Sequence, residues 1–175
     1  ISLKSAISEL KKDNIETETL NLVDTALRVQ GETRKIPQTK LYLNGLIELQ
    51  DAGSQALVAH LDCPKNGKVL DYCAGGGGKT LAIASRICND VSFSAYDKNQ
   101  SRLKELKIRA QRADIKVDLL KNDPVTGIKK YDLVVVDVPC SGSGSWRRSP
   151  DAKWKLTEQR LIDLMAIQTE ILENT

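Results

Sequence analysis

The chain has 175 residues, of which 41% are hydrophobic and 28% charged, and a net charge of +3, as expected for a single globular domain that buries roughly 70% of its unfolded surface. No apolar run reaches the roughly 20 residues of a membrane span, and no signal peptide opens the chain. Four cysteines and one histidine lack zinc-site spacing, so we expect a cytoplasmic protein with no membrane segment, metal site or disulfide framework.

The first 50 residues are predicted to form a small α+β appendage. Apolar residues within 3–10 recur at helical spacing and predict a short N-terminal helix. Farther along, Asn44-Gly45 separates apolar runs at 40–43 and 46–49, which is the strongest short signal for a two-residue hairpin turn. We therefore expect a helix and a hairpin before the main domain, residues 51–175.

Residues 51–175 alternate strands with helices, the pattern of a parallel sheet with helical crossovers. Ser54 is the expected cap of the first helix, and the basic residues of the helix at 100–113 are expected to face solvent. Four strands make an incomplete doubly wound sheet. We expect a three-layer, mostly parallel α/β domain, incomplete at its C-terminus, within a longer protein. The predicted strands are 69–72, 91–96, 117–120 and 133–136, and the predicted helices are 54–60, 80–87, 100–113 and 157 onward.

Two loops after predicted strands carry the residues suited to chemistry. The glycine loop (residues 73–80) reads Cys-Ala-Gly-Gly-Gly-Gly-Lys-Thr, and the acidic loop (residues 137–144) reads Asp-Val-Pro-Cys-Ser-Gly-Ser-Gly. Open α/β sheets bind cofactors at the carboxyl ends of their strands, and consecutive glycines let the backbone approach a ligand closely. The two loops indicate a nucleotide-like cofactor beside the thiol of Cys140.

The sequence also narrows the choice of cofactor. A phosphate-binding P-loop needs glycine at Cys73 and a dinucleotide fingerprint needs glycine at Thr80, so neither pattern is complete. Asp97 ends the second sheet strand, where it can accept both ribose hydroxyls, and Asp123 follows the third strand, where it can border an adenine. These features favour S-adenosylmethionine over NAD or ATP. The alternative is that both aspartates are simply polar residues at strand ends.

Four segments in order resemble the Fmu/Sun (RsmB-type) family of RNA (cytosine-5)-methyltransferases. They are Gln-Asp-Ala-Gly-Ser-Gln at 50–55, the glycine loop, the acidic loop, and Arg-Arg-Ser-Pro-Asp-Ala-Lys-Trp at 147–154. The resemblance implies a Rossmann-like enzyme that methylates carbon 5 of cytosine in RNA, commonly ribosomal RNA. The family usually has proline where this chain has Gly76, which we expect to loosen the loop at a cost of roughly 1 kcal/mol.

The resemblance further implies roles for individual residues. Asp97 would hold the ribose, Asp123 would lie near the adenine, and Asp137 would lie close to both cofactor and target base. The residues implied to line the methionine part of the cofactor are Cys73, Ala74, Gly75, Gly76, Gly77, Gly78 and Lys79.

Cys140 is the residue that reaction chemistry singles out. Carbon 5 of cytosine becomes nucleophilic only after a thiolate adds to carbon 6, and the Pro-Cys pair resembles the nucleophile loop of DNA cytosine-5 enzymes. The family resemblance instead implies that a second cysteine attacks, in a Thr-Cys-Ser motif beyond Thr175, and that Cys140 assists product release. In that case this chain alone would turn over poorly. The residues also leave open a buried Cys140 without chemistry.

Basic and aromatic residues in 146–155 predict an RNA surface, because RNA bases are recognised by stacking beside phosphate contacts and the target base must flip outward. Alternatively, both tryptophans anchor a loop and the charges are merely solvated. Two other functions stay open: a non-catalytic cofactor- or RNA-binding module, and a nicotinamide-dependent dehydrogenase. The predicted RNA contacts are Arg147, Arg148, Lys153 and Trp154.

Overall fold

The N-terminal appendage combines a helix with a two-stranded sheet, in a computed structural model that describes residues 1–87, 90–126, 130–147 and 149–175. Helix α1 (Leu3–Lys12) is followed by strands β1 (Glu16–Thr19) and β2 (Leu27–Gln30), which pair antiparallel. A 3-10 helix (Thr33–Gln38) and the short helix α2 (Lys40–Leu43) follow. The predicted N-terminal helix is confirmed, and its apolar face packs in a cluster formed by Ala6, Leu10, Ile15, Ile36 and Leu41.

The predicted hairpin at Asn44-Gly45 is wrong, because the residues before the turn form α2. The Thr39 hydroxyl caps this helix by accepting a hydrogen bond from the Tyr42 amide at 3.2 Å. Gly45 has φ +67°, a left-handed conformation that ends helices as well as closing hairpins. The Asn-Gly pair thus correctly predicted a turn, but it did not predict the secondary structure of the residues before the turn. The domain boundary after residue 50 stays a prediction.

The main sheet has four described strands, all parallel, in the order β5-β4-β3-β6. The predicted α/β class is confirmed, and each predicted strand exists within two residues of its expected bounds. Strand order reverses between the neighbours β3 and β6, so the carboxyl ends of these two strands form the topological switch point of the sheet. The strands are β3 (Gly67–Asp71), β4 (Val91–Ala95), β5 (Val117–Leu119) and β6 (Leu133–Val135).

Helices lie on both faces of this sheet. Val69 and Phe93 pack with residues of α3 and α4, whereas Leu70 and Val134 line a cleft on the opposite face with the end of α7.

Asp51, not the predicted Ser54, caps α3, because its carboxylate accepts from the Gly53 amide at 2.9 Å. The described ranges contain no helix long and apolar enough to cross a membrane. The helices are α3 (Ala52–Ala59), α4 (Gly78–Ala84), α5 (Leu103–Arg112), α6 (Asp151–Lys155) and α7 (Glu158–Asn174).

Candidate cofactor site and active site

The glycine loop and the acidic loop meet at the switch point. They leave the adjacent strands β3 and β6, and the Lys79 ammonium lies 2.5 Å from a carboxylate oxygen of Asp137. Together the loops border a cleft of about 310 Å³. The cleft is lined by Gln50, Ser54, Asp71, Cys73, Ala74, Gly76, Gly78, Lys79, Arg102, Glu105, Arg109 and Asp137.

The glycine loop turns tightly because two of its glycines adopt left-handed backbone angles. Gly75 has φ +53° and Gly77 has φ +80°. The Gly77 amide donates to the Ala74 carbonyl at 2.8 Å, and a Cβ at Gly77 would collide with the side chain of Leu106. The backbone therefore lies directly on α5 at this point, where only glycine fits.

Asp97 is placed as an acceptor at the end of β4. It is only 6% exposed, and one carboxylate oxygen accepts from the Gly75 amide at 2.9 Å and from Arg102 at 3.2 Å. The other oxygen accepts from the Asn99 amide at 2.8 Å. A carboxylate has about four acceptor positions, so this arrangement fixes Asp97 and leaves capacity for a ligand hydroxyl.

Asp123 lies beside two tyrosines that the sequence did not single out. The Tyr72 hydroxyl donates to Asp123 at 2.7 Å, and the rings of Tyr72 and Tyr96 are 5.1 Å apart. Burial and the Asp123 carboxylate raise the pKa of Tyr72, so its hydroxyl stays protonated. The signal that could have found them is their position, since each tyrosine directly follows a sheet strand.

Asp71, the last residue of β3, is a second buried carboxylate that the sequence did not single out. It is 2% exposed and lines the cleft, and burial together with nearby Asp137 raises its pKa to about 6. The Thr80 hydroxyl donates to one of its oxygens at 2.6 Å. Within the described part of the chain, the other oxygen is enclosed without a hydrogen-bond partner. Such an atom is suited to accept a donor from a ligand.

The two loop cysteines differ in reactivity. Burial and then the neighbouring carboxylates, Asp97 first, raise the pKa of Cys73 to about 11, so this thiol is protonated and a poor nucleophile at neutral pH. Cys140 is exposed, which contradicts the alternative of a buried structural cysteine. Its loop is attached to α7, because the side-chain amide of Gln168 donates to the Pro139 carbonyl at 2.7 Å.

The predicted RNA surface divides into an anchored part and an exposed part. Trp146 is partly buried, and its indole nitrogen is enclosed without a partner among the described residues. Trp154 is 83% exposed, and the Lys153 ammonium lies 5.4 Å from its ring centre. Arg147 is exposed, and Arg148 lies outside the described residues. Only Trp146 behaves as the loop anchor that the alternative required of both tryptophans.

The basic residues of the predicted helix at 100–113 do not all face solvent, contrary to expectation. Arg109 and Arg112 are largely buried and bind Glu48, whereas Arg102, just before α5, stays exposed and contacts Asp97. The helical periodicity of residues 100–113 did not predict this burial, because long basic side chains can bend toward acidic partners in distant segments of the chain. Gln50 and Ser54 were also missed as cleft residues, although both lie in the 50–55 motif that carried the family resemblance.

Comparison with known proteins identifies relatives of this chain. The chain is 31% identical over 189 aligned positions, covering 98% of its length, to the probable ribosomal RNA small subunit methyltransferase B of Synechocystis sp.. It is similar to the crystal structure of PH0851, with a TM-score of 0.91, 29% identity and 99% of the chain covered. It is also similar to a methyltransferase homolog protein from Pyrococcus horikoshii, with a TM-score of 0.73, 28% identity and 86% covered.

The relatives are longer than this chain, which spans 42% of the Synechocystis protein, 40% of PH0851 and 51% of the Pyrococcus methyltransferase homolog. The family model described as 16S rRNA methyltransferase RsmB/F matches residues 58–175, which include both loops, Asp97 and Asp123. The resemblance predicted from the four motifs is confirmed, and the chain belongs to the RsmB/F family of 16S rRNA methyltransferases.

Proposed function

We propose that this chain binds S-adenosylmethionine and forms the cofactor-binding part of a methyltransferase that acts on carbon 5 of cytosine in RNA, with ribosomal RNA as the substrate class. The observation that carries the proposal is the 2.5 Å contact between Lys79 and Asp137. This contact joins the loop suited to a cofactor to the loop that holds an exposed thiol. Family membership and the names of the relatives support the same substrate class.

Residues that line the cleft and residues at the neighbouring strand ends fit this cofactor. Asp97 has acceptor capacity for a ribose hydroxyl. The Asp71 oxygen that has no hydrogen-bond partner among the described residues can accept from a cationic or N–H group. The glycine loop presents backbone in place of side chains, and Lys79 is the cation available to a carboxylate. The partly buried ring of Tyr96, which packs against the buried Tyr72 near Asp123, offers a surface for a flat heterocycle. The bound cofactor would supply the methyl group.

Asp137 and Cys140 are proposed to act on the target base. Asp137 is held by Lys79 at the mouth of the cleft, where its carboxylate can accept from an exocyclic amino group. Cys140 lies three residues farther along the same loop and is exposed to an incoming base. We assign its thiol to reaction at the base, either in adding to carbon 6 or in assisting release of the methylated product.

Residues of α6 and the preceding turn are proposed to bind the RNA strand. Trp154 presents an open ring for stacking, and the exposed side chains of Arg147 and Lys153 are available to phosphates. Arg148, from the same sequence cluster, is proposed as a further contact.

The proposal is tested by calorimetric titration of the chain with S-adenosylhomocysteine, with NADH and ATP as comparison ligands. We expect S-adenosylhomocysteine alone to bind, and Asp97→Ala to abolish binding because it removes the carboxylate that fixes Gly75 and Arg102. Asp62→Ala, an exposed aspartate outside the cleft, is the matched control and should bind normally. Binding of NADH or ATP instead would make the chain a dehydrogenase or an ATP-binding module and would refute the proposal.

A further inference from the structure

We propose that Arg109 is a positioning residue through which the N-terminal appendage holds the glycine loop in its ligand-binding conformation. The inference rests on the proposed cofactor site and adds a residue set that lies partly outside the main domain. The set, which we call the arginine bridge, consists of Glu48, Arg109 and Arg112.

Arg109 contacts the glycine loop directly. Its guanidinium donates to the Gly76 carbonyl at 2.7 Å, and a second nitrogen of the same group lies 3.3 Å from a Glu48 oxygen. A weaker contact, at 3.4 Å, reaches Glu105 on the same helix. The Arg109 side chain is only 13% exposed, so these interactions are shielded from water. One guanidinium thus joins the appendage to the backbone of the loop.

Glu48 is itself fixed by more than Arg109. The same oxygen of Glu48 accepts from Arg112, and its other oxygen accepts from the Leu49 amide at 3.0 Å. The Arg112 guanidinium stacks on the Tyr42 ring at 3.8 Å, which attaches it to α2. Gly45 lies against the backbone of Arg112 so closely that a Cβ would collide with it. The appendage is therefore docked on α5 where α5 supports the loop.

The glycine loop needs such a support because of its composition. Gly76 lies in a run of four consecutive glycines, residues 75–78, and such a run has unusually large conformational freedom in the absence of other restraints. A charge-assisted hydrogen bond to the Gly76 carbonyl restricts that freedom before a ligand arrives. Restricting it beforehand reduces the ordering cost of binding. Arg109 itself lines the cleft, but Glu48 and Arg112 do not, so an effect of Glu48 on ligand affinity must act through the glycine loop.

Calorimetric titration of the full chain with S-adenosylhomocysteine tests the coupling. We expect Glu48→Gln to raise the Kd about fivefold and Arg109→Gln to raise it about tenfold. The double variant should match Arg109→Gln alone, since both changes act through one contact. Arg109→Lys should not rescue binding, because an ammonium cannot hold Gly76 and Glu48 in the forked geometry. Lys107→Gln, which removes an exposed charge from the same helix, is the control and should bind as wild type.

Hydrogen exchange of the ligand-free chain separates this inference from the proposed function. The Gly77 amide reports on the loop because it donates to Ala74, and we expect its exchange to accelerate about tenfold in Glu48→Gln but not in Lys107→Gln. If wild type fails to bind S-adenosylhomocysteine, the proposed function fails while this exchange measurement still decides the positioning role. Unchanged exchange at Gly77, or additive effects in the double variant, would overturn the arginine bridge.

Discussion

The glycine loop and residues 146–155, which are proposed to bind RNA and are called the RNA segment below, differ in how much of their geometry is fixed. The glycine loop is held by a buried hydrogen bond that the Gly75 amide donates to Asp97, by a partly buried one that Arg109 donates to the Gly76 carbonyl, and by close packing on Leu106. In the RNA segment, Trp146 is partly buried, but Lys153 and Trp154 are exposed. The salt bridge between Lys155 and Asp151 is also exposed and contributes little to stability. The contrast suggests that one site is built before its ligand arrives and the other is shaped by its ligand.

A preformed small-molecule site gains affinity because it does not pay an ordering cost, whereas single-stranded RNA is bound by stacking and charge that tolerate adjustment. Changes in the glycine loop should therefore alter stability and binding together. Changes in the RNA segment should alter RNA binding alone. The following predictions test this division, beginning with the largest expected effect.

Gly77→Ala should produce the largest effect. The left-handed φ of +80° disfavours alanine, and the new Cβ would collide with Leu106, so we expect a loss of about 3 kcal/mol in the free energy of unfolding and loss of S-adenosylhomocysteine binding. Denaturant unfolding and calorimetry measure the two quantities. Gly144→Ala is the control, because a Cβ there meets nothing within 4 Å and should change stability by less than about 0.5 kcal/mol. Equal stability of both variants would contradict the packing argument.

Asp71→Asn should change the pH dependence of stability. The folded pKa of about 6 lies above the unfolded value of 3.8, so folding takes up a proton and stability from this group falls as pH rises from about 4 to above 6. Asp71→Asn has no carboxyl group at this position, so its free energy of unfolding should not decrease in this way. Between pH 4 and 7.5, we expect the free energy of unfolding of the variant to rise on the order of 2–3 kcal/mol relative to that of wild type.

Denaturant unfolding at several pH values measures this gain. Asp62→Asn, at an exposed aspartate, is the control and should follow wild type at every pH. Parallel stability curves for Asp71→Asn and wild type would contradict the raised pKa of Asp71.

The sequence predicted the main domain well because its local hydrophobic patterns and the topology of a parallel sheet both favour the observed structure. Short apolar runs formed the four sheet strands, and the glycine loop and acidic loop had to meet because parallel strands place their carboxyl ends at one edge. The hairpin failed because Asn44-Gly45 specifies only a turn, and burial of Leu41 against α1 decided the structure before it. β1 was missed because its sequence, Glu-Thr-Glu-Thr, contains no apolar residue, whereas β2 alternates Leu27 and Val29 with polar residues over only four positions.

The candidate site was predicted in its chain-local parts and missed where side chains converge from distant segments. Lys79, Asp97 and Asp137 lie in recognisable loops. Arg109 and Glu48 are 61 positions apart, and their pairing follows from the docking of the appendage, which no spacing in the sequence records. The roles of these residues toward a cofactor stay predictions.

Trp154→Ala should affect RNA binding and leave folding unchanged. Its ring is 83% exposed, so truncation removes almost no buried surface and the melting temperature should stay within about 1 °C of wild type. Loss of a stacking platform should weaken binding of a single-stranded ribosomal RNA fragment by about 1–2 kcal/mol, roughly tenfold. Fluorescence anisotropy with a labelled RNA measures the affinity, and calorimetry should show unchanged S-adenosylhomocysteine binding.

Leu22→Ala, which truncates an exposed apolar residue of the appendage, is the control for Trp154→Ala. If Trp154→Ala binds RNA as wild type does, stacking on this ring is not used, and the RNA segment must be sought elsewhere on the surface. If it also loses cofactor affinity, the two sites share structure, and the division between a preformed and an adaptable site is wrong.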